Sequence, residues 1–157
     1  MRMTVRANGP AAPTAVWDRY VRPQRWSEWS PQIRSVDYRG EIIAAGGTGM
    51  LHGPCGVSVR FEIDEVDHDV RRWSWRVKVA GIAMSLGHSV APAESESESE
   101  SESESESESG ADRSATSATT QAADGDGTTT TLVIEGPAPI VLGYAPIARI
   151  ALERLVR

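Results

Sequence analysis

Two neighbouring segments with two-residue alternation, residues 57–64 and 72–79, constrain the fold more than any other part of this sequence. In VSVRFEIDEV, which starts at Val57, apolar and polar residues alternate from Val57 to Asp64, and in RRWSWRVKV they alternate from Arg72 to Val79. Such alternation is typical of a strand with one buried and one solvent-exposed face. The polar Asp-His-Asp stretch between the segments predicts a turn. We therefore predict an antiparallel hairpin whose aromatic face must be covered by another element.

A low-complexity segment, residues 93–123, interrupts the chain with repeated Ser-Glu dipeptides. It contains no Val, Ile, Leu, Met or aromatic residue, so it cannot bury enough apolar area to offset its chain entropy, and we predict that it is disordered. It carries a charge of −8 within a chain whose net charge is −6, so the remaining residues together carry +2. We expect a single domain, residues 1–157, interrupted by this insert.

The composition also excludes several classes of function. Cys55 is the only cysteine, so neither an intrachain disulfide nor a thiolate metal cluster is expected. No segment is long and apolar enough to span a bilayer, and no basic patch with interleaved aromatic residues indicates nucleic-acid binding. We expect a cytoplasmic protein, monomeric or weakly dimeric, with no metal, cofactor, nucleic-acid partner or stable membrane insertion.

The other segments predict an α+β chain that runs from one strand through two short helices and six further strands to a terminal helix. We expect Pro146 to kink this last helix or to start a new one. Its predicted apolar stripe comprises Ile140, Tyr144, Ile147, Ala151 and Leu155. Outside the hairpin, the predicted strands are residues 3–7, 33–38, 48–52, 82–90 and 128–136, and in the last of them Thr130, Leu132 and Ile134 are expected to face inward. The predicted helices are one that starts at Ala12 or Pro13 and ends before Pro23, a second short helix or turn at 24–29, and the terminal helix at 140–157.

Five motifs follow one another along the chain, and their order is more informative than any one of them: VWDRYVRPQRWSEWSPQIRSVD, GTGMLHGP, FEIDEVD, WSWRV and GTTTTLVIEGP. In these motifs the chain resembles the START-like helix-grip superfamily, and within it the polyketide cyclase/dehydrase and lipid-transport branch. The resemblance covers nearly the whole chain apart from the insert. It implies a curved antiparallel sheet of about seven strands that, with two short helices and a C-terminal helix, encloses an apolar cavity. The ligand it implies is a hydrophobic small molecule.

The resemblance also implies that the inward-facing side chains line a cavity. The residues themselves leave open a second interpretation, in which these side chains fill a packed core, because protein interiors are normally filled. Trp29 is expected to be a core anchor, whereas the two interpretations are equally open for Trp26. The predicted lining residues are Trp26, His52, Val59, Phe61, Trp73, Trp75, Met84, Leu86, His88, Leu132, Tyr144 and Ile147.

His88 is the candidate catalytic residue. It shares a strand face with Met84, Leu86 and Val90, so its side chain is predicted to point into the apolar interior. A buried neutral imidazole can orient a ligand carbonyl or transfer a proton. The alternative is a structural histidine whose hydrogen bonds are satisfied within the core.

Three functions follow as hypotheses. The first is a protein that binds a hydrophobic molecule in order to transport or sequester it. The second is a polyketide cyclase/aromatase or dehydratase in which His88, with His52 or Tyr38, positions a proton. The third is a ligand-controlled regulator that docks a partner protein through the acidic insert. His52 and Cys55 have the spacing of two metal ligands, but the sequence offers no second pair to complete a zinc site.

Overall fold

Seven strands and three helices form the protein in the computed structural model, which describes residues 1–93 and 127–157. Two single 3₁₀ turns, Pro23–Arg25 and Pro54–Gly56, complete the regular elements. The strands are β1 (Arg2–Gly9), β2 (Ser35–Tyr38), β3 (Thr48–His52), β4 (Ser58–Asp67), β5 (Arg72–Val79), β6 (Ile82–Pro92) and β7 (Thr128–Glu135), and the helices are α1 (Pro13–Val21), α2 (Trp26–Trp29) and α3 (Ala138–Leu155).

The strands form one antiparallel sheet in the order β1-β7-β6-β5-β4-β3-β2. Because β7 pairs with both β1 and β6, the first and last strands of the chain lie side by side, while β2 to β6 follow one another as a meander. The predicted order of elements and the α+β class are confirmed.

The predicted hairpin is formed by β4 and β5. Ile63 lies opposite Trp75, and both are buried on the inward face of the sheet. The register shifts by one residue at Asp64, which forms a β-bulge that the alternation did not predict. Val57 was predicted to face inward as a strand residue, but β4 begins after it and its side chain is 52% exposed.

Strands β6 and β7 bracket the predicted insert. Thr130, Leu132 and Ile134 alternate inward and are buried, as predicted. At the end of these strands the backbone N–H of Ala93 donates to the carbonyl of Gly127 at 3.0 Å, so the chain leaves and re-enters the sheet at neighbouring positions. The insert predicted at 93–123 lies, except for Ala93, outside the described residues.

Helices α1 and α2 cover one end of the sheet. The apolar positions of α1 are buried, with Val16 and Tyr20 fully removed from solvent. Trp26 and Trp29, one turn apart on α2, donate their indole N–H groups to the carbonyls of Tyr20 and Arg19. These bonds attach the short second helix to the end of the first.

Helix α3 continues through Pro146, so no new helix begins there. Its C-terminal end packs against β1: the N–H of Ala11 donates to the carbonyl of Val156 at 2.9 Å. A Cβ at Gly9 would collide with that same carbonyl, so glycine allows the close approach. Of the predicted apolar stripe, Ala151 and Leu155 are fully buried, while Ile140, Tyr144 and Ile147 face the sheet without being fully buried. The other buried residues of the helix are Val141, Ala148 and Leu152.

Candidate functional site

A cavity of about 400 Å³ lies between the inward face of the sheet and α3. Strands β3 to β7, helix α2, the segment after α2 and the turn after β3 complete its wall. Four wall residues reach the surface: Val57 is 52% and Ile147 is 38% exposed, and Pro54 and Gly143 are also exposed. The cavity therefore opens between the turn after β3 and the middle of α3.

Most of the predicted lining residues lie on this wall. Those that contact the cavity are Trp26, Val59, Trp73, Trp75, Met84, Leu86, His88, Leu132, Tyr144 and Ile147. Trp29, predicted as a core anchor, is buried and also lies on the wall. The structure adds wall residues that were not among the predicted lining residues, namely Ser30, Gln32, Ile33, Leu51, Gly53, Pro54, Val57, Val77, Val79, Ile140, Gly143, Ala148, Ala151 and Leu152.

His52, predicted to line the cavity, lies on the opposite face of the sheet. Leu51 faces the cavity, so the two-residue period of β3 turns the next side chain outward. There the His52 ring contacts Asp37 Oδ2 through Nε2 at 2.6 Å and Ser58 Oγ through Nδ1 at 3.0 Å. Cys55 is exposed in the following turn.

Phe61, also predicted to line the cavity, faces inward but lies behind other aromatic rings. Its ring centroid is 5.5 Å from those of Trp26 and Trp75, and it stacks on Tyr38 at 6.0 Å. Gly49 on the neighbouring strand leaves the space that the Phe61 ring occupies. Phe61 is therefore a packed core residue that supports the wall from behind.

His88 is buried and takes part in a hydrogen-bond chain. Trp75 Nε1 donates to His88 Nε2 at 3.1 Å, and an indole N–H can only donate, so this ring nitrogen accepts. In the neutral ring the proton is then on Nδ1, which lies 3.3 Å from Tyr20 Oη. Thr130 Oγ1 donates to the Ser89 carbonyl and so accepts from Tyr20, at 2.6 Å. Every member of the chain has a partner.

Burial sets the protonation states in this chain. The apolar surroundings lower the pKa of His88 to about 3, because the charged imidazolium would lose its hydration without gaining a counter-ion. Burial also raises the pKa of Tyr20, which keeps its hydroxyl protonated as a donor. At neutral pH both groups are uncharged, in agreement with the direction of the hydrogen bonds.

The five tryptophans of the chain differ in one respect. Four of them donate their indole N–H: Trp17 to His68 Nδ1, Trp75 to His88, and Trp26 and Trp29 to the backbone. Trp73 Nε1 is buried and has no hydrogen-bond partner among the described residues. An unsatisfied buried donor on a cavity wall indicates that the wall has unused hydrogen-bonding capacity.

A second polar feature of the wall joins the loop after α2 to α3. Gln32 Nε2 donates to Tyr144 Oη at 3.0 Å, while Gln32 Oε1 is buried without a partner among the described residues. Burial raises the pKa of Tyr144 to about 12, an effect that the hydrogen bond from Gln32 partly opposes. Gln32 has an irregular backbone between helix and strand, so no periodic pattern in the sequence could have identified it.

Two further properties bear on the class of site. Across residues 1–93 and 127–157, no three His, Cys, Asp or Glu side chains come together in a way that could hold a metal ion. None of the described helices has the length and apolar composition that crossing a bilayer requires.

A curved antiparallel sheet that holds a C-terminal helix over an apolar cavity defines the helix-grip class of proteins. Within this class, the chain belongs to the family described as polyketide cyclase/dehydrase and lipid transport, whose model matches residues 1–157. A search of curated proteins finds none that matches the chain.

Solved structures with low sequence identity share the fold. A protein from Nitrosospira multiformis is 15% identical with a TM-score of 0.66, and the match covers 99% of this chain and 94% of that one. A protein from Mesorhizobium loti is 13% identical with a TM-score of 0.67, over 99% of this chain and 93% of that one. An uncharacterised protein from Bacillus thuringiensis is 12% identical with a TM-score of 0.64, over 99% and 96%. These likenesses concern the fold alone.

Proposed function

We propose that this protein binds a hydrophobic small molecule in the cavity between its sheet and α3. The observation that carries the proposal is the cavity itself, about 400 Å³ in volume and lined mostly by apolar side chains. Close-packed interiors rarely contain voids larger than a water molecule, whereas ligand pockets measure about 300–1,000 Å³. An apolar cavity of about 150 Å³ holds one benzene, so this one has room for roughly two or three linked rings.

The family supports the same proposal, because its description joins polyketide chemistry with lipid transport and both concern hydrophobic molecules. The opening beside Val57 and Ile147 gives such a molecule a route from solvent. The cytoplasmic location and the monomeric or weakly dimeric state expected from the sequence stay predictions.

Acid–base catalysis by His88 has weaker support than binding. Both ring nitrogens are already hydrogen-bonded, and the lowered pKa makes the imidazole a poor proton acceptor near pH 7. His52, the suggested second histidine, lies on the other face of the sheet. The acidic insert on which the regulator hypothesis depends lies outside the described residues apart from Ala93.

A fluorescence titration with the apolar dye N-phenyl-1-naphthylamine tests the proposal. The wild-type protein should bind the dye saturably, and Ala148→Phe should weaken binding at least tenfold because Ala148 is buried on the cavity wall. Ala138→Phe is the matched control, since that residue is exposed at the start of the same helix. A wild-type protein without saturable dye binding would contradict the proposal.

A further inference from the structure

We infer that the ligand is an uncharged molecule with a hydroxyl group, which Gln32 and Tyr144 bind at one side of the cavity. The inference rests on the proposed function and specifies its ligand. Gln32 lies in the loop between α2 and β2, and Tyr144 lies in the middle of α3. Their hydrogen bond of 3.0 Å therefore spans from the loop to the helix along the cavity wall.

The pair offers one acceptor and one donor to a ligand. Gln32 Oε1 is buried and accepts no hydrogen bond from the described residues. Tyr144 Oη accepts from Gln32, and its own proton has no acceptor within the part of the chain that the structure describes. A hydroxyl group both donates and accepts, so it can satisfy both positions at once, whereas a ketone or an ether can satisfy only the phenol.

Within the described residues, the two side chains that carry an unpaired buried polar atom both line this cavity. Among the buried side-chain nitrogen and oxygen atoms of the described residues, Gln32 Oε1 and Trp73 Nε1 are the ones without a partner, and both residues lie on the cavity wall. The buried chain around His88 is satisfied throughout. Because buried polar groups are normally paired, the missing partners are expected on the molecule that enters the cavity.

The wall also indicates that the ligand is uncharged. Within residues 1–93 and 127–157, it contains no Arg, Lys, Asp or Glu side chain. Its two titratable groups, His88 and Tyr144, are neutral at pH 7, because burial lowers the pKa of the first to about 3 and raises that of the second to about 12. A carboxylate or phosphate would lose its hydration here and meet no counter-ion.

Three naphthalene derivatives test the inference with the full-length protein at pH 7. 2-Naphthol carries a hydroxyl, 2-methoxynaphthalene keeps the oxygen but cannot donate, and 2-naphthoate is an anion. By calorimetry, 2-naphthol should bind roughly tenfold more tightly than either of the others, as expected for one additional buried hydrogen bond or for avoiding an unpaired buried charge.

Two variants locate the effect. Gln32→Leu removes the acceptor that only the 2-naphthol hydroxyl can use, so it should reduce the preference for 2-naphthol over its methyl ether to within about twofold. Tyr144→Phe removes the donor that both oxygens accept from, so it should weaken both probes by a similar factor. Gln24→Leu is the matched control, because Gln24 is exposed and outside the wall, and it should keep the preference. If Gln32→Leu does not fold, Tyr144→Phe decides, since it keeps the ring and should weaken 2-naphthol and its methyl ether together.

Each contrary result has a separate meaning. Equal binding of 2-naphthol and its methyl ether by the wild-type protein would overturn the hydroxyl inference and leave the proposed function standing. If 2-naphthoate binds most tightly of the three, the inference that the ligand is uncharged would be overturned. A preference that persists in Gln32→Leu, or affinities for 2-naphthol and its ether that Tyr144→Phe leaves unchanged, would overturn the site. Failure of all three probes to bind would overturn the proposed function as well.

Discussion

The imidazole of His88 lies flat against the indole of Trp73, with ring centroids 4.5 Å apart and planes only 8° from parallel. The two residues are direct cross-strand partners on β6 and β5, so the sheet register itself produces the stacking. The hydrogen bond from Trp75, two residues further along β5, holds the ring from its edge. The plane and the tautomer of His88 are therefore both fixed by the neighbouring strand.

This buried histidine should make the protein sensitive to acid. The pKa of His88 is lowered from 6.5 to about 3 by burial, so between these values the unfolded chain takes up a proton that the native protein does not. Protonation then favours the unfolded state, and this contribution reduces the free energy of unfolding by about 1.4 kcal/mol per pH unit. Above pH 6.5 His88 should contribute no pH dependence.

Urea unfolding of the wild type and of His88→Gln at several pH values measures this contribution. The wild-type stability should fall relative to the variant by roughly 3 kcal/mol between pH 6.5 and pH 4. The other ionisable groups are the same in both proteins, so the difference isolates His88. A constant difference across this range would show that the His88 imidazole takes up its proton as readily in the native protein as in the unfolded chain.

The hydroxyl of Tyr20 should contribute more to stability than that of a surface tyrosine. It lies between His88 Nδ1 and Thr130 Oγ1, so Tyr20→Phe leaves His88 Nδ1 buried without a partner and removes one of the two hydrogen bonds of Thr130 Oγ1. We expect a loss of about 1–3 kcal/mol in the free energy of unfolding.

Tyr38→Phe is the control for this measurement. Tyr38 Oη accepts from the backbone of Ala44 at an exposed site, where water can replace it, so the loss should stay below about 1 kcal/mol. Equal losses of unfolding free energy in the two variants, measured by thermal or urea unfolding, would contradict the stabilising role of the buried hydrogen bonds of Tyr20. Their far-UV circular dichroism should match that of the wild type.

The sequence predicted the sheet well because alternation and turn residues are local signals. β3 was predicted with its observed bounds, and the inward set Thr130, Leu132 and Ile134 is correct because a strand of period two has only two faces. The prediction that His52 lines the cavity was wrong for the same reason. It required Met50 and His52 to face inward, whereas Leu51, which lies between them, is the residue that faces the cavity. In a short strand with apolar residues on both faces, the sequence does not decide between them.

The candidate site could be predicted only in part. Aromatic residues on β5 were expected inside, but whether Phe61 contacts the cavity depends on where α2 places Trp26. Gln32 and Tyr144 meet across more than a hundred residues, and their hydrogen bond depends on how α3 sits over the sheet. Such a contact has no local sequence signal.

Binding of a neutral ligand should be independent of pH across the physiological range. The cavity wall as described holds His88 and Tyr144 as its titratable groups, and their pKa values of about 3 and about 12 lie far outside the range from pH 6 to pH 9. The Kd for N-phenyl-1-naphthylamine should therefore change by less than about twofold over this range, since neither group alters its charge. Fluorescence titrations at half-unit steps measure it, and His88→Gln should give the same flat profile. An inflection near pH 6.5 that disappears in His88→Gln would mean that the imidazole titrates in the folded protein, and acid–base catalysis at this residue would then become the better interpretation.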